Sequence, residues 1–389
     1  MERLAWGGLG LARAEDGRVI LLGAPLALFP GETVAAELRW KAGHAEGDVD
    51  RWLEPDPRRA DPGCPVASVC GGCSLRGAGG AASELKRQMA ADLFRRQLGR
   101  EDFAWHAAPP EARRARIQLH WDGRALGFHR RRSHDLVPVA ACPAAEEVLS
   151  GAIPSLEAAL RNGGLPGRPG RWELATGTPA ADVRAWSAAG QWRLEGAAWI
   201  ADASPLSHRL AGATLRQPAG GFFQVCPGWA AEAFGAVLEG WDLRGGTLFD
   251  LYGGVGLFSA LLRDRFRRFL LVESGEGAVA AARLNLAELG LDADCQAADV
   301  GAWLPEGLGG PEDLLLLDPP RTGLAPEAAA KLLTAGAGRM VLVGCDGAAF
   351  CRDLKRLAPA WELEGLAALD LFPLTPHLEA VALLRRQGG

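Results

Sequence analysis

Two residues near the end of the chain have the types and positions needed for covalent chemistry. Cys345 lies in Val-Leu-Val-Gly-Cys-Asp-Gly, a pattern typical of a buried strand that opens into a loop. It is either a packing residue, because free cysteine behaves as a small hydrophobe, or a nucleophile. His377 and Glu379 precede an apolar strand and are predicted to share one face of it. Glu379 is either a solvated edge residue or a carboxylate whose raised pKa lets it accept a proton.

A group of cysteines indicates a metal centre. Cys64, Cys70 and Cys73 follow the spacing Cys-x5-Cys-Gly-Gly-Cys, and Cys142 is the best distant fourth ligand. Four thiolates suit a soft metal centre, so an iron-sulfur cluster and a tetrahedral zinc ion both fit. The spacing differs from that of radical S-adenosylmethionine enzymes, which favours a structural or RNA-positioning role.

A glycine-rich segment, Phe-Asp-Leu-Tyr-Gly-Gly-Val-Gly-Leu-Phe-Ser (residues 249–259), predicts a nucleoside site. Gly253, Gly254 and Gly256 would let the loop pass close under a ligand before a helix begins. About twenty residues on, the next strand ends in Glu273, where an acid can accept hydrogen bonds from ribose hydroxyls. Without a phosphate-binding lysine, the pair fits a dinucleotide or S-adenosylmethionine. The alternative for Glu273 is a charge near a helix N-terminus.

Asp318 marks a third position at the same predicted crevice. Four leucines precede it and two prolines follow it in Leu-Leu-Leu-Leu-Asp-Pro-Pro-Arg. The leucines predict a fully buried strand, and the prolines a rigid, polar lip that could hold a planar base. Asp318 as a simple turn residue is the less favoured alternative.

The elements that would position these residues fall into three regions. Residues 1–53 alternate apolar runs with turns and predict short strands in a small barrel, and residues 54–63 read as a linker. The middle region contains the cysteines, a predicted helix starting at Ala82 and several strand-like pieces. From about Gln217, strand, loop and helix alternate, which predicts a parallel sheet with helices on both faces.

Composition narrows the class of protein. The 389 residues, 48% hydrophobic and 23% charged, are those of an ordinary globular protein, without a predicted targeting segment or membrane span, and a cytoplasmic location is expected. The net charge of -5 does not indicate nucleic-acid binding. A local arginine run either contacts RNA or is a solvated face; it consists of Arg113, Arg114, Arg116, Arg124, Arg130, Arg131 and Arg132.

These motifs, in this order, resemble the RNA 5-methyluridine (uracil-C5) methyltransferase family over nearly the whole chain, and are most similar to its iron-sulfur-containing 23S ribosomal RNA members. The resemblance implies an α/β class I S-adenosylmethionine-dependent methyltransferase domain of Rossmann-like fold at residues 216–389. It implies a TRAM-like (OB-like) RNA-binding β-barrel at residues 1–54 and an α+β iron-sulfur central domain at residues 55–215. A [4Fe-4S] cluster would be held by Cys64, Cys70, Cys73 and Cys142.

The resemblance also implies site roles. Cys345 would be the nucleophile and Glu379 the general base. S-adenosyl-L-methionine would be bound by the glycine loop with its Gly254 and by four side chains: Gln224, Tyr252, Glu273 and Asp318. Because the barrel and the cysteine motif occur together, 23S ribosomal RNA is the preferred substrate, with transfer RNA as the alternative. No feature indicates an obligate protein partner.

The chain departs from the family pattern at five positions. The family's Ser-Cys-Asn-Pro becomes Gly344, Cys345, Asp346 and Gly347, and Cys226 and Leu257 each stand where asparagine is usual. An acid next to the thiol should raise the pKa of Cys345 unless Asp346 points away. These departures motivate a competing hypothesis, a non-catalytic RNA-binding or ribosome-assembly protein. A weaker third hypothesis is another S-adenosylmethionine-dependent methyltransferase, acting on a small molecule.

Overall fold

The N-terminal region forms a five-stranded sheet in the computed structural model, which describes residues 1–388. Its first three strands are short, as the turn-rich sequence predicts, whereas β4 and β5 have 8 and 11 residues. The strands lie in the order β1-β2-β3-β5-β4. They are β1 (Arg3–Leu4), β2 (Gly10–Arg13), β3 (Val19–Gly23), β4 (Thr33–Trp40) and β5 (His44–Glu54). The charged segment that follows is attached to this sheet, because Arg59 Nε lies 2.5 Å from Oε1 of buried Glu32.

One helix and one short strand lead from this sheet into the rest of the molecule. They are α1 (Ala82–Leu98) and β6 (Ala104–His106). The predicted helix therefore begins at Ala82 as expected. It ends where Gly99 takes the left-handed conformation (φ 67°) that a helix C-terminus favours.

The middle region is built on an antiparallel sheet of seven strands in the order β13-β12-β11-β10-β7-β8-β9. Its elements are β7 (Arg116–Trp121), β8 (Leu126–His129), β9 (Leu136–Pro138), α2 (Glu147–Arg161), β10 (Gly170–Thr176), β11 (Val183–Ser187), β12 (Gly190–Glu195) and β13 (Ala198–Ala201). Ile117, Leu119 and Trp121 alternate along β7 and are buried in one core with the apolar residues of α2. A hairpin, β14 (Leu206–Leu210) and β15 (Ala213–Gln217), follows.

The C-terminal region contains an eight-stranded sheet in the order β18-β17-β16-β19-β20-β22-β21-β6. Its elements are α3 (Pro227–Gly240), β16 (Gly245–Leu251), α4 (Leu257–Leu261), β17 (Phe266–Glu273), α5 (Glu276–Glu288), β18 (Ala293–Ala297), α6 (Val300–Trp303), β19 (Leu314–Leu317), α7 (Pro326–Leu332), β20 (Arg339–Gly344), α8 (Gly347–Leu357), β21 (Trp361–Leu369) and β22 (Glu379–Arg386). Strands β16 to β20 are mutually parallel, as the alternation predicts, and β22 runs antiparallel to β20.

The sheet order defines where a ligand would bind. From β16, the chain builds outward through β17 and β18 on one side and then returns to place β19 and β20 on the other. Such a reversal leaves a crevice at the carboxyl ends of the two central strands, here β16 and β19. All four leucines of β19 are buried, as expected for a strand covered on both faces.

The N-terminal sheet packs directly against two loops of the C-terminal region. A Cβ on Gly347 would lie 2.7 Å from Cδ2 of Trp6, and one on Gly8 would lie 2.6 Å from Cβ of Pro376. Deeper in the molecule, Lys86 of α1 is fully buried and forms an ion pair with Asp370, just after β21. These contacts fix the loops before α8 and before β22 from outside their own sheet.

Within residues 1–388, no helix combines the length and the apolar character that crossing a membrane would require.

Candidate active site

The glycine loop follows β16 and passes close over the neighbouring strand. A Cβ on Gly253 would lie only 2.6 Å from Cγ of Leu271 in β17, so a side chain there would collide with the sheet. Gly256, which precedes α4, has φ of 92°, a conformation that glycine adopts at little cost. The loop therefore needs glycine for both its path and its turn, and Tyr252 stands at its start with φ of 62°.

Glu273 ends β17 and is held facing this loop. Its Oε2 accepts a hydrogen bond from the backbone N of Gly254 at 3.3 Å, and its Oε1 accepts from the backbone N of Gly275 at 2.8 Å. The hydroxyl of Ser274 donates to the same Oε1 at 3.1 Å. The carboxylate is thus fixed at the crevice, and its contact with a ribose remains a prediction.

Three carboxyl groups meet where β16, β17 and β19 end, and we call Asp250, Glu273 and Asp318 the acidic crevice. Burial raises the pKa of Asp250 to about 7, although Ser259 donates to its Oδ2 from both N and Oγ. Burial and then the charges of Asp250 and Glu273 raise the pKa of Asp318 to about 7. Uncompensated negative charge of this kind favours a positively charged ligand.

Asp299 is a further acid at the same edge that the sequence did not single out. It follows β18 and caps α6, its Oδ1 accepting from the backbone N of Ala302 at 2.9 Å. Burial raises the pKa of Tyr252 to about 12, and the nearby charge of Asp299 contributes. Asp299 stands in Ala-Asp-Cys-Gln-Ala-Ala-Asp, a segment without an apolar run, and acids are also common in turns, so the sequence contains no specific signal for it.

Cys345 and Glu379 are brought together by the pairing of β20 with β22. Gly344 lies opposite Ala380 in this antiparallel pair. Cys345, which follows Gly344, and Glu379, which precedes Ala380, are therefore neighbours. Burial and then the charge of Glu379 raise the pKa of Cys345 to about 11. Glu379 is only 7% exposed, and its Oε2 has no hydrogen-bond partner within residues 1–388. Burial followed by the charge of Asp318 raises its pKa well above the ordinary value.

Arg321 is the positive charge at this pair, and sequence reasoning missed its importance. It follows the two prolines after Asp318 and lowers the pKa of both Cys345 and Glu379. It therefore favours the thiolate and the carboxylate, the charged forms that a nucleophile and a base require. Its place directly after Asp-Pro-Pro was visible in the sequence, but its distance from the thiol in the chain concealed the contact.

His377 does not lie on the strand predicted to carry it with Glu379. Strand β22 begins at Glu379, after a turn in which Leu374 has φ of 65° and which contains Pro376. Because proline has no N–H to donate to a ladder, the strand starts later than the alternation suggests. Burial and then Arg321 lower the pKa of His377 to about 4, so the imidazole is neutral.

Asp346 points away from the thiol. Its Oδ1 accepts a hydrogen bond from the backbone N of Ala349 at 2.8 Å, which makes it the N-cap of α8. The carboxyl groups that raise the pKa of Cys345 are Glu379 and Asp318 instead. The aspartate that replaces the family's asparagine therefore still caps the helix. The space beside Gly347, where the family has proline, is occupied by the side chains of Trp6 and Leu93.

Gln224 is buried in the segment that enters α3. The backbone N of Ala115 donates to the carbonyl of Val225 at 2.8 Å, and Arg116 Nη1 donates to the carbonyl of Gly221 at the same distance. This segment is therefore held by the central sheet. Cys226 is buried at the N-cap of α3, and burial raises its pKa to about 12, in line with a packing role.

The four predicted metal ligands line a single cavity of about 420 Å³, which we call the cysteine cavity. Burial raises the pKa of Cys70, and the neighbouring thiols of Cys73, Cys142 and Cys64 raise it further. Arg114 Nη2 lies 3.8 Å from Sγ of Cys73. Over residues 1–388, however, no three His, Cys, Asp or Glu side chains are arranged closely enough to hold one metal ion.

The arginine run does not form one continuous patch. Arg131 and Arg132 pair with Asp48 of the N-terminal sheet, and Arg114 and Arg116 line the cysteine cavity. The remaining members are exposed on the surface; they are Arg113, Arg124 and Arg130. Part of the run therefore holds regions of the molecule together.

The fold and its crevice define a class I S-adenosylmethionine-dependent methyltransferase. A solved structure with this fold is that of Pyrococcus abyssi tRNA (uracil-54, C5)-methyltransferase in complex with S-adenosyl-L-homocysteine, with a TM-score of 0.73 and 22% identity over 97% of this chain and 100% of that one. The family profile described as tRNA (Uracil-5-)-methyltransferase matches residues 312–387.

Curated relatives match along nearly the whole chain. An uncharacterized RNA methyltransferase of Streptomyces avermitilis is 33% identical over 98% of this chain and 96% of its own. The 23S rRNA (uracil(1939)-C(5))-methyltransferase RlmD of Pseudomonas fluorescens (strain Pf0-1) is 32% identical over 98% and 90%. The chain belongs to the RNA uracil-C5 methyltransferase family, as the sequence motifs indicated.

Proposed function

We propose that this protein methylates carbon 5 of a specific uridine in 23S ribosomal RNA, with Cys345 as nucleophile and Glu379 as base. The observation that carries the proposal is the pairing of β20 with β22, which sets a thiol beside a buried carboxyl group that has an unpaired oxygen. Sequence similarity to relatives named for this reaction supports the choice of RNA.

The chemistry requires both groups. Carbon 5 of uracil is a poor nucleophile, so the thiolate of Cys345 first adds to carbon 6 and pushes electron density onto carbon 5. Carbon 5 then attacks the methyl group, and the bond between that methyl and the sulfonium sulfur breaks. Glu379 removes the proton from carbon 5, and the electron pair of that C–H bond expels the thiolate from carbon 6.

The raised pKa of Glu379 is consistent with its role as a base, whereas the raised pKa of Cys345 opposes formation of the thiolate. Burial makes the carboxylate of Glu379 a stronger base than a solvated one. The charge of Arg321 offsets part of the cost of forming the thiolate. A uridine must leave its stack to reach this buried site, and unstacking is least costly in single-stranded RNA.

The acidic crevice fits S-adenosyl-L-methionine, which supplies a methyl group activated on a positively charged sulfur. Glu273 is placed to bind ribose hydroxyls, and Asp250 and Asp318 leave negative charge that a cation would compensate. Tyr252, the glycine loop and the buried Gln224 would contribute further contacts to the cofactor.

The cysteine cavity fits a [4Fe-4S] cluster held by Cys64, Cys70, Cys73 and Cys142. All four thiols line one space of about 420 Å³, and a cluster separates its thiolate ligands more widely than a single zinc ion does. When bound, the cluster would supply a structural link between residues 64–73 and Cys142.

The sheet β1–β5 is the candidate TRAM-type RNA-binding domain. It presents Trp40, which is 47% exposed, with the guanidinium carbon of Arg18 lying 4.1 Å from its ring centroid. An exposed aromatic ring beside a positive charge is suited to stack on a base and contact a phosphate.

Covalent trapping tests the nucleophile. We expect wild-type protein with S-adenosylmethionine to form a stable adduct with 5-fluorouridine RNA, because fluorine at carbon 5 prevents the final proton removal. Cys345→Ala should form none, while the control Cys351→Ala, which removes a buried thiol six residues away, should form it normally. If wild-type protein also forms no adduct, the non-catalytic hypothesis is favoured, which the altered loop around Cys345 motivates.

Mass spectrometry of RNA tests the substrate. Ribosomal and transfer RNA from cells with and without the protein should differ by one 5-methyluridine in 23S RNA, restored by wild type and not by Cys345→Ala. A loss confined to transfer RNA would instead select the substrate named in the description of the family profile and of the Pyrococcus abyssi structure.

A further inference from the structure

One face of the central sheet opens into the cysteine cavity, and four polar side chains of β7 and β10 lie on it. Strands β7 and β10 are antiparallel, with Gln118 opposite Glu173 and His120 opposite Arg171. Because alternate residues share a face, these four lie on the side opposite the apolar core with α2. Three of them, Gln118, Arg171 and Glu173, line the cavity together with Arg116.

Glu173 is the deepest charged residue on this face. It is 2% exposed, and its Oε2 accepts from Arg116 Nη2 at 2.8 Å and from Arg171 Nη2 at 3.1 Å. Its Oε1 is equally buried and has no partner within residues 1–388. An unsatisfied oxygen on a buried carboxylate is costly, so a ligand that donates a hydrogen bond to it would stabilise the site.

The metal centre proposed for the cavity cannot be that donor. Thiolate and sulfide sulfurs accept hydrogen bonds, as a carboxylate does, so a cluster would leave Oε1 unpaired. The cavity also extends to Arg321 and His377, which lie at the catalytic end. A ligand that enters between the two ends and offers an N–H would satisfy Glu173.

The different exposure of the two arginines and of Glu173 indicates which end of such a ligand would lie at the mouth of the cavity and which at its base. The side chain of Arg116 is 17% exposed and that of Arg171 is 59% exposed, whereas that of Glu173 is 3% exposed. A positive charge at the mouth favours a phosphate there, and a carboxylate oxygen at the base favours the N–H edge of a nucleobase. Base and phosphate together make a nucleotide.

We propose that Glu173, Arg116 and Arg171 form a subsite for a nucleotide that lies near the target uridine in the RNA, with the base N–H on Oε1 of Glu173 and the phosphate at Arg171. The inference rests on the proposed function, since it assumes an RNA substrate. Discrimination at this subsite depends on a single N–H, because of the two carboxylate oxygens of Glu173 only Oε1 lacks a partner within residues 1–388.

Base analogues test the subsite. In a transcript containing the methylated uridine, each neighbouring nucleotide is replaced singly by an analogue without a Watson–Crick N–H: purine riboside for a purine, zebularine for cytidine and 3-methyluridine for uridine. We expect one position at which the analogue weakens binding to wild type about tenfold, as loss of a hydrogen bond to a charged group would. In Glu173→Gln, whose amide oxygen is an uncharged and weaker acceptor, the same analogue should cost less than about threefold.

A second variant tests the phosphate contact without touching the buried carboxylate. Arg171→Ala should weaken binding of every transcript by a similar factor and reduce the dependence of the dissociation constant on salt. Arg267→Ala, which removes an exposed arginine from the C-terminal sheet, is the charge-matched control and should change neither quantity. Because Arg171 is largely exposed, this variant stays informative if Glu173→Gln fails to fold.

The outcomes separate the two proposals. If wild type methylates the transcript but no position shows coupling to Glu173, or Arg171→Ala behaves like Arg267→Ala, the subsite is refuted and the proposed function stands. If wild type methylates no RNA, the proposed function fails and the subsite fails with it.

Discussion

Replacement of Gly347 by alanine should destabilise the protein even though alanine is the better helix former. Gly347 is the first residue of α8, two positions after Cys345, and is buried. An added Cβ would lie 2.4 Å from Cδ2 of Leu93 and 2.7 Å from Cδ2 of Trp6, so a neighbour or the loop must move. Overpacking of this kind costs about 1–3 kcal/mol, and the gain in helix propensity is at most about 1 kcal/mol. We expect the free energy of unfolding to fall by up to about 2 kcal/mol.

Urea denaturation followed by tryptophan fluorescence measures this change, and the rate of adduct formation with 5-fluorouridine RNA measures its effect on Cys345. The matched control is Gly235→Ala in the middle of α3, where no described heavy atom beyond its chain neighbours and the nearby backbone of the helix itself lies within 4 Å of the added Cβ. That variant should gain about 0.5–1 kcal/mol and form the adduct at the wild-type rate. Equal stabilisation by both substitutions would refute the packing of Trp6 and Leu93 over the nucleophile loop.

Three other predictions concern charge. Glu379→Gln removes a negative charge beside the thiol, so the pKa of Cys345 should fall below about 11 and iodoacetamide should alkylate this thiol faster at pH 8. The covalent RNA adduct should accumulate in this variant, because its release needs the base. An unchanged rate of alkylation would contradict the contact between Glu379 and Cys345. Burial lowers the pKa of His208 from 6.5 to about 4, so the stability linked to its neutral form is complete above pH 6.5 and falls by up to about 3 kcal/mol as the pH drops towards 4. In urea titrations, His208→Gln should therefore lose less stability than wild type between pH 7 and pH 4.5. Equal losses would contradict the lowered pKa of His208. Binding of cationic S-adenosylmethionine should lower the raised pKa values of Asp250 and Asp318 and so release protons near pH 7. Calorimetry in buffers of different ionisation enthalpy would detect this proton release. Heats of binding that do not depend on the buffer would argue against binding at the acidic crevice.

Local patterns were sufficient to predict the parallel part of the fold. Strands β16, β17, β19 and β20 follow apolar runs separated by loops and helices, and α1 begins at the predicted residue, because burial and helical spacing are visible within a few residues of sequence. Strand β18, Ala-Asp-Cys-Gln-Ala, has no apolar run and was not predicted. The placement of Glu273 and Asp318 at one crevice followed from the parallel sheet itself.

Contacts between distant parts of the chain were not predictable in this way. Strand β6 lies within the predicted central region, yet it pairs with β21 of the C-terminal sheet, more than 250 residues later. The hydrogen bond that turns Asp346 away from Cys345, the charge of Arg321 at the thiol and the unpaired oxygen of Glu173 likewise depend on three-dimensional arrangement. No periodicity in the sequence encodes such neighbours.

The packing of Trp6 on Gly347 and of Gly8 on Pro376 has a consequence for protein engineering. Residues 1–9 supply part of the wall behind both the Cys345 loop and the Glu379 loop, so they cannot be exchanged as an independent recognition module. A chimaera that joins the N-terminal sheet of one relative to the C-terminal region of another would have to inherit position 6 together with position 347, and position 8 together with position 376. The junction for grafting a new RNA specificity onto this enzyme therefore lies inside the first sheet, after its first hairpin turn.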